Sequence, residues 1–217
     1  MIRLFNDRIA AGRTLSRRLA AYSGRPDVVV LALPRGGVPV ASEVARALGA
    51  PLELLLVRKL GVPHTQVVVG AIAGGGSLHV DPLLMAEHGV SKQQLDEIVA
   101  SESLELIRRH AMYCGNRPLV PLEGRTVIVV DDGVATGGTM RAALKALRSA
   151  KPAWIVVAVP VAPPEAQDLI GTAADEFVCV ECPPDFESVG RYYREFGRTS
   201  DEEIRGLMAR ARPDEAH

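Results

Sequence analysis

The chain has little cysteine, no surplus of either charge and no long apolar run. Three cysteines, Cys114, Cys179 and Cys182, are too few and too odd in number for a disulfide framework. They fit a reducing compartment. The 25 basic and 26 acidic residues leave a net charge of −1, so nothing steers the chain toward nucleic acid or an anionic membrane surface. No apolar run approaches the roughly 20 residues that span a bilayer. The first residues, MIRLFNDRIAAGRTL, lack the apolar centre of a secretory leader. There is no internal repeat, no low-complexity tract, no G-x-x-x-x-G-K-[ST] phosphate loop and no basic helix-turn-helix ahead of the core. These absences predict a cytoplasmic protein that acts on small molecules, without nucleic acid or membrane partners.

What is present suffices for a single α/β domain. Hydrophobic residues make up 47% of the 217 positions, enough for a substantial core, and 20 glycines and 15 prolines suit many short loops. Apolar spacing predicts an amphipathic helix over Asn6–Tyr22. Asp27–Leu33 is a continuous apolar run, as in a strand buried on both faces. A helix over Val38–Leu48 and a second strand over Leu52–Val57 complete a strand–helix–strand unit of a parallel sheet. Leu60–Gly76 reads either as a hairpin or as a mobile loop. Ser91–Tyr113 is a long charged helix whose Ser91 and Gln94 suit a capping box. Further strands are expected at Arg125–Val130, Trp154–Val161 and Glu176–Val180, with helices at Thr139–Ser149 and Pro163–Ile170.

The chemistry concentrates in Val127–Thr139, VIVVDDGVATGGT. An apolar strand ends in two aspartates, followed by a glycine-rich turn and a helix. Ligands of open α/β sheets sit beyond the carboxyl ends of the strands. The unpaired N–H groups and positive end of a helix start favour a phosphate. Gly137 and Gly138 admit close backbone approach, and Thr136 and Thr139 add hydroxyl donors. A site for phosphate alone would avoid Asp131 and Asp132. They make sense if the ligand also carries a cis-diol, and they can hold a hydrated Mg²⁺ through water. Adjacent strand residues face opposite ways, so one aspartate faces the ligand and the other orients the loop. An aspartate-tipped strand also occurs in P-loop NTPases, but the loop itself is missing here.

Two further features flank this motif. Leu33-Pro34-Arg35-Gly36-Gly37 follows one strand and opens a helix. It reads as a second anion loop with Arg35 as its charge, or as a tight turn with an exposed arginine. Arg58-Lys59 follows the next strand and reads as a cation pair placed to neutralise a diphosphate, or as a solvated basic pair.

VIVVDDGVATGGT resembles the phosphoribosyl-pyrophosphate signature of type I phosphoribosyltransferases, and ATGGT is similar to the adenine phosphoribosyltransferase version. PRGG resembles that family's pyrophosphate loop, in which the Pro34–Arg35 peptide is the candidate for a cis bond. The whole chain is similar to a group of bacterial phosphoribosyltransferase-like proteins sharing PRGGVPVA, VRKLG-P, GAI, DDGVATG and DFESVGRYYREF. The resemblance implies the type I phosphoribosyltransferase fold: a central, mostly parallel sheet flanked by helices. It divides the single domain into a core of about residues 25–180, a hood of about 1–24 and 181–217, and a loop and helix insertion of about 60–122.

The implied activity is Mg²⁺-dependent transfer of ribose 5-phosphate from 5-phosphoribosyl pyrophosphate to a nucleobase or related nitrogen. The ribose hydroxyls fall to Asp131 and Asp132, and the 5-phosphate to Val134, Ala135, Thr136, Gly137, Gly138 and Thr139. The diphosphate falls to Arg35, Gly36, Gly37, Arg58 and Lys59, with Arg35 and Lys59 stabilising the leaving group. Leu60–Gly76 is the implied lid. Phe186, Tyr192 and Tyr193, with Phe196, either stack on the acceptor base or cover a sheet edge. His64, His79 and Glu87 are candidates for the base that takes the acceptor's proton. Cys179-x-x-Cys182 lacks the extra ligands or helix start of a zinc or redox site. A homodimer is implied by family analogy alone. One departure stands out: where similar proteins carry an acid shortly before Gly-Ala-Ile, this chain has Gln66-Val67-Val68-Val69-Gly70. Loss of that acid suits the alternative, a non-catalytic regulatory protein that binds phosphoribosyl pyrophosphate or a nucleotide.

Overall fold

The computed structural model describes residues 4–63, 65–115 and 120–211. In chain order the elements are α1 (Arg8–Arg18), β1 (Val28–Ala32), α2 (Gly37–Leu48), β2 (Leu52–Leu54), β3 (Val57–Gly61), β4 (Val68–Ala73), β5 (Leu78–Val80), α3 (Pro82–Glu87), α4 (Lys92–Cys114), β6 (Thr126–Val130), α5 (Gly138–Arg148), β7 (Trp154–Val161), α6 (Ala166–Ile170), β8 (Glu176–Glu181) and α7 (Asp201–Arg210). Five strands form one parallel sheet in the order β2-β1-β6-β7-β8.

Every residue of β1 and β6 is buried, which is why both read as unbroken apolar runs. Alternate side chains feed two cores. Val28, Val30, Ile128 and Val130 pack on one face with α2, α4 and α7. Val29, Leu31, Val127 and Val129 pack on the other face with α5 and α6. The register pairs Val28 with Thr126 and Ala32 with Val130, so β1 and β6 end level. Their following loops, PRGG and the Asp131-Asp132 turn, therefore leave the sheet side by side.

The stretch Leu52–Val57 divides where one strand was expected. β2 ends at Leu54 and the chain crosses to a second, antiparallel sheet of order β3-β4-β5. Leu55 N–H still bonds the Ala32 carbonyl at 2.9 Å, whereas the Leu56 carbonyl already accepts from Gly74 N–H at 3.0 Å. Leu55 and Leu56 are buried in different cores, so the apolar pattern carries no mark of the break. β3 and β4 thus form a hairpin, and Arg58-Lys59 lies in its first strand rather than at the end of a parallel strand.

The long helix starts with the expected capping box: Gln94 N–H donates to Ser91 Oγ at 3.2 Å, and Ser91 N–H donates to Gln94 Oε1 at 2.9 Å. α1 lies against α2, with Gly12 at the contact, where a Cβ would fall 2.6 Å from the Val40 carbonyl oxygen. The terminal segments meet each other. Phe5 N–H donates to Tyr192 O at 3.0 Å and Arg194 N–H to Phe5 O at 2.9 Å. Phe5, Ala11, Val161 and Tyr193 then form a small core of their own. Among the described residues, no helix is long and apolar enough to cross a membrane.

Candidate functional site

The two level loops touch through glycine. A Cβ on Gly36 would lie 2.0 Å from Asp132 Oδ2, and one on Gly37 would lie 2.6 Å from the Val130 carbonyl oxygen. The Gly-Gly of PRGG thus admits the aspartate turn against the start of α2, whose positive end favours the carboxylate. Asp131 Oδ1 accepts from Asp132 N–H at 2.8 Å and so shapes the turn. Burial raises both carboxyl pKa values above the ordinary range. At Asp131 the neighbouring Asp132 charge adds to that rise.

Arg8, at the first position of α1, donates from Nε to Asp132 Oδ2 at 2.8 Å, with the two side chains only 13% and 14% exposed. It also donates to the Gly197 carbonyl at 2.6 Å and lies 4.1 Å over the Phe196 ring. Sequence reasoning missed this residue. The available signal was a cation in the first turn of a helix, where the dipole opposes it unless a carboxylate is near. One guanidinium faces two carboxylates, leaving negative charge suited to hydroxyl donors or a divalent cation. Among the described residues, no three His, Cys, Asp or Glu side chains converge on a metal position, so such an ion would draw further oxygens from its ligand or water.

The turn beyond the aspartates is packed from both sides. A Cβ on Gly133 would lie 2.6 Å from Val189 Cγ1. Val134 is 3% exposed and its N–H is spent on the Val161 carbonyl at 3.1 Å. That corrects the expectation for Val134: it anchors the loop and has no amide left for phosphate. Ala135, Thr136 and Thr139 are exposed. Gly137 has φ 69°, a left-handed conformation that favours glycine, and leads into α5. The first-turn amides of Gly138, Thr139 and Met140 have no acceptor within the helix, as at any helix start.

The cations are placed differently from the expectation. The Pro34–Arg35 peptide is cis. The Arg35 side chain turns to Asp201 Oδ1 at 2.8 Å, and Tyr113 Oη donates to the same oxygen at 2.7 Å. Arg58 and Lys59 point to opposite sides of β3. Arg58 is held by Glu102 of α4. Lys59 lines a cavity of about 410 Å³ with His79, Asp81, Gly138, Arg141 and Lys145. Only Lys59 of the pair therefore shares space with the start of α5. Of the candidate bases, His79 lines this cavity, Glu87 is exposed at the end of α3, and His64 lies outside the described residues.

Among the aromatics, Phe186 stacks on Tyr192 with centroids 5.7 Å apart, leaving both rings half-buried. Tyr193 is 2% exposed and its hydroxyl donates to the Asp132 carbonyl at 2.6 Å. Burial pushes its phenol pKa well up, so it stays a donor. That corrects the acceptor expectation for Tyr193: its ring has no open face for a base, and it latches the aspartate turn instead. Phe196 packs on Tyr193 at 5.0 Å. Burial, then the adjoining Cys182 thiol, push the Cys179 thiol up, which keeps it a protonated, weak nucleophile.

Residues 5–195 match the phosphoribosyl transferase domain family. The chain is 42% identical over 214 residues to Rv0571c of Mycobacterium tuberculosis H37Rv, provisionally named a phosphoribosyl transferase, and equally to its counterpart in strain CDC 1551. Each alignment covers 98% of this chain and 48% of the relative, so the chain spans about half the length of the curated relatives it matches. The crystal structure of TT1426 from Thermus thermophilus superposes with a TM-score of 0.83 at 41% identity, covering 97% of this chain and 99% of that one.

Proposed function

The chain belongs to the phosphoribosyl transferase family, and from that premise we propose that it moves ribose 5-phosphate from 5-phosphoribosyl pyrophosphate to a nitrogen acceptor, releasing pyrophosphate. The observation that carries this reading is the contact of two loops at the level ends of β1 and β6. One bears a carboxylate pair and the other is a glycine loop. Asp131 and Asp132 accept hydrogen bonds from the ribose hydroxyls. The start of α5, with Ala135, Thr136, Gly137, Gly138 and Thr139, takes the 5-phosphate. The backbone of Arg35–Gly37 takes the diphosphate, and Lys59 neutralises it from the hairpin. Asp131 and Asp132 would hold Mg²⁺ through water, and the ion would supply charge neutralisation of the leaving diphosphate. Arg35 adds to this if it exchanges Asp201 for the diphosphate. Phe186, Tyr192 and Phe196 flank the acceptor side.

A second reading, binding without turnover, is favoured by Gln66–Gly70, where β4 brings no carboxylate to the hairpin. One assay separates the two. Protein, Mg²⁺ and phosphoribosyl pyrophosphate are incubated with a panel of purine and pyrimidine bases, and pyrophosphate release is measured. Release dependent on one base supports transfer. Binding without release from any base supports the regulatory reading, and absence of binding contradicts both.

A further inference from the structure

The small antiparallel sheet brings a cation and an imidazole to the cavity beside α5. Lys59 of β3 pairs with Ala71 of β4, and Ala71 pairs with His79 of β5. Residues directly opposite one another across strands share a face, so these three side chains stand in a row. Ala71, the smallest, is buried in the middle and leaves a trough between its neighbours. Across the trough α5 presents Arg141 and Lys145, four positions apart and both exposed. Like charges at that spacing repel each other. The first turn of α5 carries no acidic residue, and the positive end of the helix disfavours Arg141 further. Among the described residues, no ion pair holds Lys59, Arg141 or Lys145, whereas Arg148 farther along the helix is held by Asp175 at 2.8 Å. Asp81 is the one carboxylate among the described lining residues, and its Oδ1 already accepts from Leu83 N–H at 3.0 Å and Leu84 N–H at 3.2 Å.

We propose that this cavity is a second anion site, separate from the donor loops, that takes an organic phosphate of the nucleoside monophosphate class. Three cations against one carboxylate leave two positive charges, which match a phosphate monoester dianion. His79 adds a ring N–H that can donate to a phosphate oxygen. The cavity of about 410 Å³ exceeds what a bare phosphate fills and lies in the ordinary range for small-molecule sites. Leu84 and Ala142 give it an apolar wall for the remainder of the ligand. The trough is built without a ligand, because Ser149 Oγ donates to the Leu78 carbonyl at 2.8 Å and pins β5 to the far end of α5. The cavity borders the proposed donor site at Lys59 and Gly138, whereas His79, Arg141 and Lys145 take no part in donor binding as proposed. Only that distinction between two sites rests on the phosphoribosyl reading.

The test is calorimetric titration with AMP and with inorganic phosphate at about pH 8, where the phosphate group of AMP is doubly charged. The wild type is expected to bind one AMP equivalent that the double variant Arg141→Ala/Lys145→Ala weakens at least tenfold and that Asp132→Ala leaves in place. An equivalent bound at the donor loops behaves the opposite way. Inorganic phosphate is expected at the cavity at least tenfold more weakly than AMP, because it leaves the apolar wall uncovered. The exchange Arg141→Lys/Lys145→Arg keeps both charges and is expected to bind AMP like the wild type. The double alanine variant should melt no lower than the wild type, since both side chains are exposed and their repulsion is removed, so lost binding is not lost folding. AMP binding unchanged in the double alanine variant overturns the proposal. So does binding that vanishes in Asp132→Ala, and so does a wild type that binds no AMP. Phosphate as tight as AMP overturns the organic ligand. Failure of phosphoribosyl pyrophosphate to bind contradicts the phosphoribosyl reading and leaves each of these outcomes unchanged.

Discussion

At the scale of single residues, function and stability pull in opposite directions at Asp131. Its carboxyl is buried beside Asp132, and its folded-state pKa is raised. A group with a raised folded pKa gives the protein an advantage that is full below the unfolded value and is lost as pH rises through the folded one. At pH 7 the wild type therefore bears the cost of the buried acid. Asp131→Asn keeps the Oδ1 acceptor for Asp132 N–H and removes that cost. It is expected to stabilise the apo protein by about 1 kcal/mol, roughly 2–4 °C in Tm, while losing donor binding. The advantage should shrink toward zero as the pH falls below about 3, where the wild-type acid is protonated folded or unfolded. Thermal melts of both proteins between pH 3 and pH 7 check this, and an asparagine variant less stable at pH 7 would contradict it.

Gly36 and Tyr193 act on the same turn. A methyl group at Gly36 meets Asp132 Oδ2 at 2.0 Å, so Gly36→Ala must displace the carboxylate. A Cβ on Gly138 finds its nearest neighbour, Thr136 Oγ1, at 3.9 Å, so Gly138→Ala should leave the fold intact. Donor titrations should show the Gly36 variant weakened at least tenfold. Equal affinities for the Gly36 variant and the wild type would mean that the loop contact does not shape the site. Tyr193→Phe removes the hydroxyl from the Asp132 carbonyl and is expected to cost about 1–2 kcal/mol, read as a lower urea midpoint at unchanged slope.

At the scale of elements, the hairpin β3–β4 decides which cation can reach a ligand. Lys59 faces the start of α5 and Arg58 faces α4. Lys59→Ala should weaken donor binding with little change in Tm. Arg58→Ala should spare binding and destabilise by less than about 1 kcal/mol, because its ion pair with Glu102 is partly exposed. The reverse pattern would show that the hairpin rearranges on binding. The sequence hid this arrangement for a definite reason. Leu55 and Leu56 are both buried, one on each side, and an unbroken apolar run looks the same whether a strand continues or changes sheets. Where each strand ends at a polar turn, as at Ala32 and Val130, the expected bounds lie within a residue or two of the observed ones. The capping box of α4 was likewise legible, because a cap is a local contact set by residues three apart.

At the scale of the whole molecule, local patterns placed the carboxylate pair, the glycine loop and the helix start, each a few residues long. They could not supply contacts between distant segments. Arg8 reaches Asp132 across 124 positions, Tyr193 reaches the same residue across 61, and Arg35 meets Asp201 only because α7 folds back over α2. Both terminal segments therefore hold the aspartate turn, one through Arg8 and the other through Tyr193. This ties the carboxylates to the hood, so loss of the terminal contacts should be felt at the donor site.

The most direct measurement is calorimetric titration of phosphoribosyl pyrophosphate with Mg²⁺ into the wild type, Asp132→Ala and Cys179→Ala. Saturable binding to the wild type and to Cys179→Ala, with at least a tenfold loss in Asp132→Ala, is the predicted result. No heat from the wild type, or equal affinity in all three, would contradict a phosphoribosyl site at the ends of β1 and β6.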